Sequence, residues 1–458
     1  MKQGRRVGGK PGRPLRVAIA DDSKLIYSDD YREGWKWGFK TIGCDVKVIE
    51  IGELRKGISA GGGSGMLSMG RNHAAKPLAD MFARWEPDLV FAHHGRAAAN
   101  FLFQQSLKAR GLRTACYLCD EPYETGETAT YSPTFDLVFT MDPCTIEAHR
   151  RSRGNRANVY YLPPGVHTDH FKPRSYFDES GKMIRELAAL FIGNGTLTPR
   201  PKYFEPIDRV VAGACFQYLK RTVSKAHKQD WIPYDTHPTW YANCQIGLNV
   251  HRAPWITKEC YKRRVVNRHR TFAVPAGLKI SGSPPPQGWG TGFWNDANLP
   301  AAHINPRFLE MAACGTLVVS DNHRSELARM FPGAPQASDP DHFLELVLYY
   351  LEHPEEAEAI GSKCSYLISQ RHSYKHRAAE VLTRAGLQAS LPVAQYSSLG
   401  EPADWLTPQD LKPPEANSSL EPTGPSERWH PRSGMLWTRQ SMTPSDMQSV
   451  DAPTPWLL

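Results

Sequence analysis

The stretch Asn305-Pro306-Arg307-Phe308-Leu309-Glu310-Met311-Ala312-Ala313-Cys314-Gly315, running on into Leu317-Val318-Val319-Ser320-Asp321, decides how this chain is read. Asn305 is a natural N-cap, Pro306 suits the first helical position, and Gly315 can take the left-handed turn that ends a helix. The apolar run after it reads as a buried strand. Two charges stand out. Arg307 lies in the first turn, where the helix dipole already favours an anion, and Glu310 follows three residues later on roughly the same face. Such a helix end can hold a phosphate while the carboxylate holds a sugar hydroxyl. The plainer alternative is a solvated i,i+3 ion pair.

Outward from this unit, helix and strand patterns alternate. Towards the N-terminus they are strands at Leu15–Ala20, Val46–Ile51, Leu89–Ala92, Thr114–Leu118, Leu137–Thr140 and Val159–Leu162. Helices are expected between them at Glu33–Ile42, His73–Arg84, Ala97–Arg110 and Thr145–Arg153. Such alternation predicts an open, doubly wound parallel sheet, whose ligands sit beyond the carboxyl ends of the strands. A Pro/Gly-rich connection near Pro163–Ser180 precedes a second unit, with strands at Leu187–Ile192, Phe216–Leu219 and Ile246–Val250. Helices at His342–Glu352, Glu355–Gln370 and Tyr374–Arg384 complete it. The domains read as an arm at 1–14, a first domain at 15–173, a second at 174–386 with an insertion at 253–303, and a tail at 387–458.

Composition sets limits. A chain of 458 residues, 40% hydrophobic, suits two or three globular domains. No apolar run approaches the roughly 20 residues needed to span a bilayer, and the N-terminus lacks a signal-peptide core. A cytoplasmic location is expected, in keeping with nine scattered cysteines and no disulfide framework. Cys116 and Cys119 form a Cys-x-x-Cys pair without the second pair of a zinc site, and the 17 histidines show no His-Glu-x-x-His spacing, so no metal is implied. The net charge of +8 is concentrated in places. Lys2, Arg5, Arg6, Lys10, Arg13 and Arg16 make a flexible basic arm, either solubilising or in contact with a polyanion. Gly61–Gly65 lacks the Gly-Lys-Ser/Thr ending of a P-loop and reads as a mobile loop. The Pro/Ser-rich tail is expected to be disordered, although Trp405, Trp429, Trp437 and Trp456 interrupt it.

The Asn305–Gly315 motif and the strand after it resemble the nucleotide-sugar-binding helix of CgeB-like glycosyltransferases, relatives of glycosyltransferase family four. The resemblance extends in order through Glu86-Pro87-Asp88-Leu89-Val90, Cys119-Asp120-Glu121-Pro122, Phe135–Thr140, Tyr161–Val166, Phe191-Ile192-Gly193-Asn194, Gly247–Arg252 and His372–Arg377. It implies an α/β fold of GT-B architecture: two Rossmann-like domains facing a cleft, with the final helix crossing back to brace the first. By resemblance Glu310 holds the donor ribose and Arg307 the diphosphate. Gly193 and Asn194 close a strand, where backbone N–H groups suit a diphosphate. Asn249, Arg252 and Asn305 join the donor site, Arg252 because a guanidinium grips two oxygens at once. Asn249 has the alternative of a satisfied structural amide.

Across the cleft, Asp120 and Glu121 are candidates to orient or deprotonate an acceptor hydroxyl, with turn capping as the alternative. His94 and its neighbour His93 are further candidates by position. The expected activity is transfer from a nucleoside diphosphate sugar to a hydroxyl, without cofactor or metal. The acceptor is open between a modified nucleic-acid base, a polysaccharide and a protein. Basic residues among aromatics in 253–303, from Lys258 to Lys279 and from Trp255 to Trp294, suit a polyanion. Ala302 stands where family-four enzymes commonly carry a second glutamate. That departure keeps a second reading open, a non-catalytic sugar-nucleotide-binding or assembly protein.

Overall fold

The computed structural model describes residues 13–22, 28–57, 73–155, 158–174, 185–193, 199–218, 233–252, 299 and 301–387. Most of the basic arm, the Gly61–Gly65 loop, Asn194, the basic and aromatic residues of the insertion and the tail fall outside these. Two parallel sheets organise the rest. The first comprises β1 (Arg16–Asp21), β2 (Asp45–Glu50), β3 (Leu89–Ala92), β4 (Thr114–Leu118), β5 (Leu137–Thr140) and β6 (Val159–Tyr161), in the spatial order β2-β1-β3-β4-β5-β6. The second comprises β7 (Leu187–Gly193), β8 (Ala214–Tyr218), β9 (Cys244–Asn249), β10 (Leu317–Asp321) and β11 (Gln336–Ala337), ordered β11-β10-β9-β7-β8.

Every strand pair is parallel. Helices must therefore cover both faces, which is why β3, β4, β5 and β7 are buried along their whole length. Each sheet is sandwiched between two apolar clusters. Both sheets reverse strand order beside their first strand, at β1/β3 and at β7/β9, and this opens a crevice at the carboxyl ends of each pair.

The expected alternation is present, with further helices not read from the sequence, among them Arg200–Val210 and Ser325–Met330. The helix read over Ala97–Arg110 is two helices, Gly95–Ala98 and Phe101–Ala109. The Asn100 side chain accepts from the Phe103 N–H and restarts the chain as an N-cap, an interaction the apolar periodicity does not register. The short helices Thr125–Tyr131 and His237–Ala242 were too brief for a periodic signal. Among the described residues no helix is long and apolar enough to cross a membrane.

The last helix, Tyr374–Arg384, leaves the second unit and packs on the first, as expected. Tyr374, Ala378, Ala379, Val381 and Leu382 share one core with Trp35, Phe39 and Phe91. Its seat is cut by glycines. A Cβ at Gly38 on the helix Ser28–Thr41 would lie 2.5 Å from the Tyr374 carbonyl oxygen, so the two backbones touch only because no side chain intervenes. The buried Arg377 guanidinium then donates to the carbonyls of Pro163 (2.7 Å) and Pro164 (2.7 Å), tying the helix to the connection between the sheets. Gly38→Val is expected to lower unfolding free energy by about 1–3 kcal/mol through overpacking. Urea denaturation checks it; an unchanged midpoint would mean the helix is not seated there.

Candidate functional site

The site is best built from the helix Pro306–Ala313. Asn305 caps it, its side-chain oxygen accepting from the Arg307 N–H at 3.0 Å, and Gly315 follows with φ +77°. The cap itself is held from below. The Asn305 N–H donates to His251 Nε2 (3.2 Å), and His251 Nδ1 lies 2.6 Å from Asp321 Oδ1 at the end of β10. An acceptor at Nε2 requires the neutral imidazole with its proton on Nδ1 facing Asp321. Burial, outweighing the pull of Asp321, pushes the His251 pKa down to about 4, in keeping with a neutral ring. The helix entrance is thus fixed to the carboxyl ends of β9 and β10.

Three guanidiniums meet at this end of the sheet. Arg307 reaches back over the end of β7, where a Cβ on Gly193 would stand 2.9 Å from its Nη1. Glycine at 193 therefore makes room for the guanidinium. Arg252 follows β9, with its guanidinium 4.8 Å from the Tyr123 ring centroid. Arg200 opens the helix Arg200–Val210; its Nε donates to the Val250 carbonyl at 2.7 Å, and its guanidinium lies 5.4 Å from the Phe191 ring centroid. Burial first, then the like charges of Arg307 and Arg252, lowers the Arg200 pKa to about 9. Cations crowded so closely favour a polyvalent anion between them.

Glu310 lies one turn inside the helix and accepts from the Tyr241 hydroxyl at 3.3 Å. Burial raises its pKa to about 7, although Arg307 and the Tyr241 hydroxyl pull it back. The carboxyl is therefore held near its ionisation point at neutral pH, half-buried and close to Arg307. The solvated surface pair that the sequence also allowed is not what forms.

The lobes meet over this crevice. Asp142, beyond β5, accepts from the Ala302 N–H (2.9 Å), the His303 N–H (3.2 Å) and His303 Nδ1 (2.9 Å). Burial works against its charge, but these donors hold the Asp142 carboxyl below the usual range. Ala302 thus occupies a backbone clasp between lobes. A second clasp joins Tyr123 of the first lobe to the second: Arg324 Nη2 donates to the Tyr123 hydroxyl (2.6 Å) and to the Arg252 carbonyl (2.7 Å). Asp120 Oδ1 stands 3.9 Å from Arg252 Nη2, which puts this carboxylate at the same crevice as the guanidiniums.

The remaining expected residues divide. His94 lies beside Asp120 and Cys119 at the ends of β3 and β4. Glu121 does not face the cleft: it is fully buried, accepting from the hydroxyls of Thr125 and Thr128, with His149 Nε2 3.1 Å away. That correction follows from the chain turning inward after Asp120. His93 is likewise internal, 2.9 Å from Asp21 Oδ1. Asn249 is buried and donates to Ser320 Oγ at 2.8 Å, stapling β9 to β10 as the structural alternative had it. Asn194 lies outside the described residues. Arg200 was missed; the signal was an arginine opening a helix after a glycine-ended strand. Tyr241, Asp142 and Tyr123 carry no local pattern, since their partners lie 69, 160 and 201 residues away.

Two parallel sheets with strand ends turned to a shared crevice define the GT-B architecture. Residues 293–383 match the model of a family described as glycosyl transferase-like. No curated protein sequence matches the chain. Among solved structures, an alpha-glucosyltransferase in complex with UDP and a 13-mer DNA containing an HMU base is similar in fold. Its two crystals superpose with TM-scores of 0.52 and 0.50, each at 11% identity, over 81% of this chain and 99% of that one. Anabaena HepE in complex with UDP and glucose gives a TM-score of 0.46 at 11% identity, over 81% of this chain and 99% of its own.

Inorganic pyrophosphate is expected to bind this crevice with salt-sensitive affinity. Arg307→Ala should weaken it roughly ten- to hundredfold, the worth of a charge-assisted hydrogen bond. Calorimetric titration checks this; equal affinity in the variant would remove the guanidiniums from the anion site.

Proposed function

We propose that this protein is a glycosyltransferase that moves a sugar from a nucleoside diphosphate sugar to a hydroxyl acceptor. The observation carrying this reading is the union, at one strand-order reversal, of three guanidiniums, a helix N-terminus and a half-buried carboxyl one turn away. The cations and the first-turn N–H groups take the diphosphate, and Glu310 takes the ribose hydroxyls. As the bond from sugar to diphosphate breaks, negative charge grows on the leaving oxygen, and Arg200, Arg252 and Arg307 are already placed to stabilise it without reorganising. That arrangement supplies the charge a donor-side metal would otherwise bring, so the donor step is proposed to run without one.

Asp120, set opposite Arg252, is the proposed group that aligns the acceptor hydroxyl and receives its proton. Among acceptors, a hydroxylated base in DNA is favoured over a polysaccharide or protein. The basic residues of 1–16 and 253–303 support this, as does the DNA bound to the structurally similar alpha-glucosyltransferase. The kinship is proposed to be with CgeB-like enzymes, and the location cytoplasmic; the eight cysteines among the described residues are free thiols, as a reducing compartment keeps them.

Donor turnover should fall at least roughly a hundredfold in Glu310→Ala and Arg307→Ala with folding preserved, a loss like that of removing one transition-state donor. Hydrolysis of UDP-glucose, followed with and without hydroxymethylated DNA, measures it. Binding of the donor with no turnover on any acceptor would favour the non-catalytic reading that Ala302 suggests. Ionisation of Glu310 gives a further expectation. A carboxyl with a pKa of about 7 accepts ribose hydroxyls fully only above that pH, so the affinity for UDP-glucose, whose diphosphate does not itself titrate in this range, should decline as pH falls from about 8 to about 6. In Glu310→Gln the decline should be absent. A pH-independent wild-type affinity would contradict the ribose role.

A further inference from the structure

We propose that His94, Cys119 and Asp120 form a binding site for a transition-metal dication of the Zn2+ type on the acceptor lobe. Two neighbouring strands deliver the three side chains to one place: His94 just beyond β3, Cys119 and Asp120 just beyond β4. An imidazole nitrogen, the thiol sulfur and a carboxylate oxygen lie within 4.8 Å of one another. Ligand atoms around a tetrahedral zinc stand about 3.3–3.8 Å apart, given bonds of about 2.0–2.3 Å, so closure needs movements on the order of 1 Å. Three protein donors leave the fourth position open, the pattern of sites that bind a further oxygen ligand. The site borders the diphosphate crevice, where Arg252 Nη2 stands 3.9 Å from Asp120 Oδ1, and it shares Asp120 with the proposed acceptor-aligning role.

The surroundings favour a dication independently of the ligand spacing. His94 Nδ1 is buried without a hydrogen-bond partner, an unsatisfied nitrogen that costs free energy unless something takes its lone pair or proton. Glu124 Oε2 stands 3.7 Å from His94 Nε2, where a carboxylate can orient a metal-bound imidazole. Carboxylates crowd the place. Glu124 stands against His94 and Asp120 lies beside it, while Glu127 is paired with Arg96. A dication relieves that repulsion. The Cys-x-x-Cys spacing gave no hint of such a site because Cys116 packs into the apolar cluster on the opposite face of the sheet from Cys119.

Cobalt titration of the chelator-treated full-length protein tests the proposal without any sugar donor, so its outcome is separate from that of the glycosyltransferase reading. One equivalent of Co2+ should bring up the near-ultraviolet thiolate-to-cobalt absorption, which Zn2+ then bleaches. Cys119→Ser should abolish that band, Cys116→Ser should leave it intact, and His94→Gln should weaken Co2+ binding at least roughly tenfold. Circular dichroism of each variant confirms that it is folded. No thiolate band in the wild type, or a band that survives in folded Cys119→Ser, would overturn the site.

Discussion

The mutual repulsion of Arg200, Arg252 and Arg307 is the constraint on which the rest of this molecule turns. Cations so close destabilise the protein unless its packing forces them together. Here that packing is visible: Arg200 is fastened to the Val250 carbonyl, Arg307 rides over the glycine that ends β7, and Arg252 rests against Tyr123. Gly193 ends β7, Val250 directly follows β9, and Tyr123 lies between β4 and the helix after it. The strand-order reversal at β7/β9 supplies the place, and the arginines supply the charge. A phosphate-rich ligand is the counterion proposed to resolve it.

Rigidity in the acidic partner completes the arrangement. Glu310 is fixed in direction by the Tyr241 hydroxyl, and the helix that carries it is fixed at its entrance by the Asp321–His251–Asn305 chain of hydrogen bonds. A recognition site held this way loses little side-chain entropy when its ligand arrives. The two interlobe clasps extend the same logic. Tyr123 bears on Arg252 and Arg324 at once, so the first lobe positions a cation of the second directly. Asp142 secures the chain just ahead of the helix Pro306–Ala313 by gripping the backbone at 302 and 303.

Much of the fold was legible in the sequence because parallel strands buried on both faces leave short continuous apolar runs, and β3, β4 and β5 fall where those runs predict. The donor helix was legible because Asn305, Pro306 and Gly315 each act locally. Legibility failed where partners are distant. The inward turn of Glu121 depends on Thr125, Thr128 and His149, and nothing about a carboxylate after a strand says which way it points. Asn249 looked like a cleft residue, but Ser320 on the neighbouring strand claims it. Arg200 was overlooked because a lone arginine after Pro199 has no periodic companion, yet it joins the same charge cluster as Arg307 of the helix motif and Arg252 of the separate Gly247–Arg252 match.

A crystal structure of the protein with UDP bound tests the central claim most directly. The account predicts both phosphates at the carboxyl ends of β7 and β9, within hydrogen-bond distance of the guanidiniums of Arg307 and Arg252, with the ribose hydroxyls on Glu310. A nucleotide lodged elsewhere, with these side chains untouched, would contradict it.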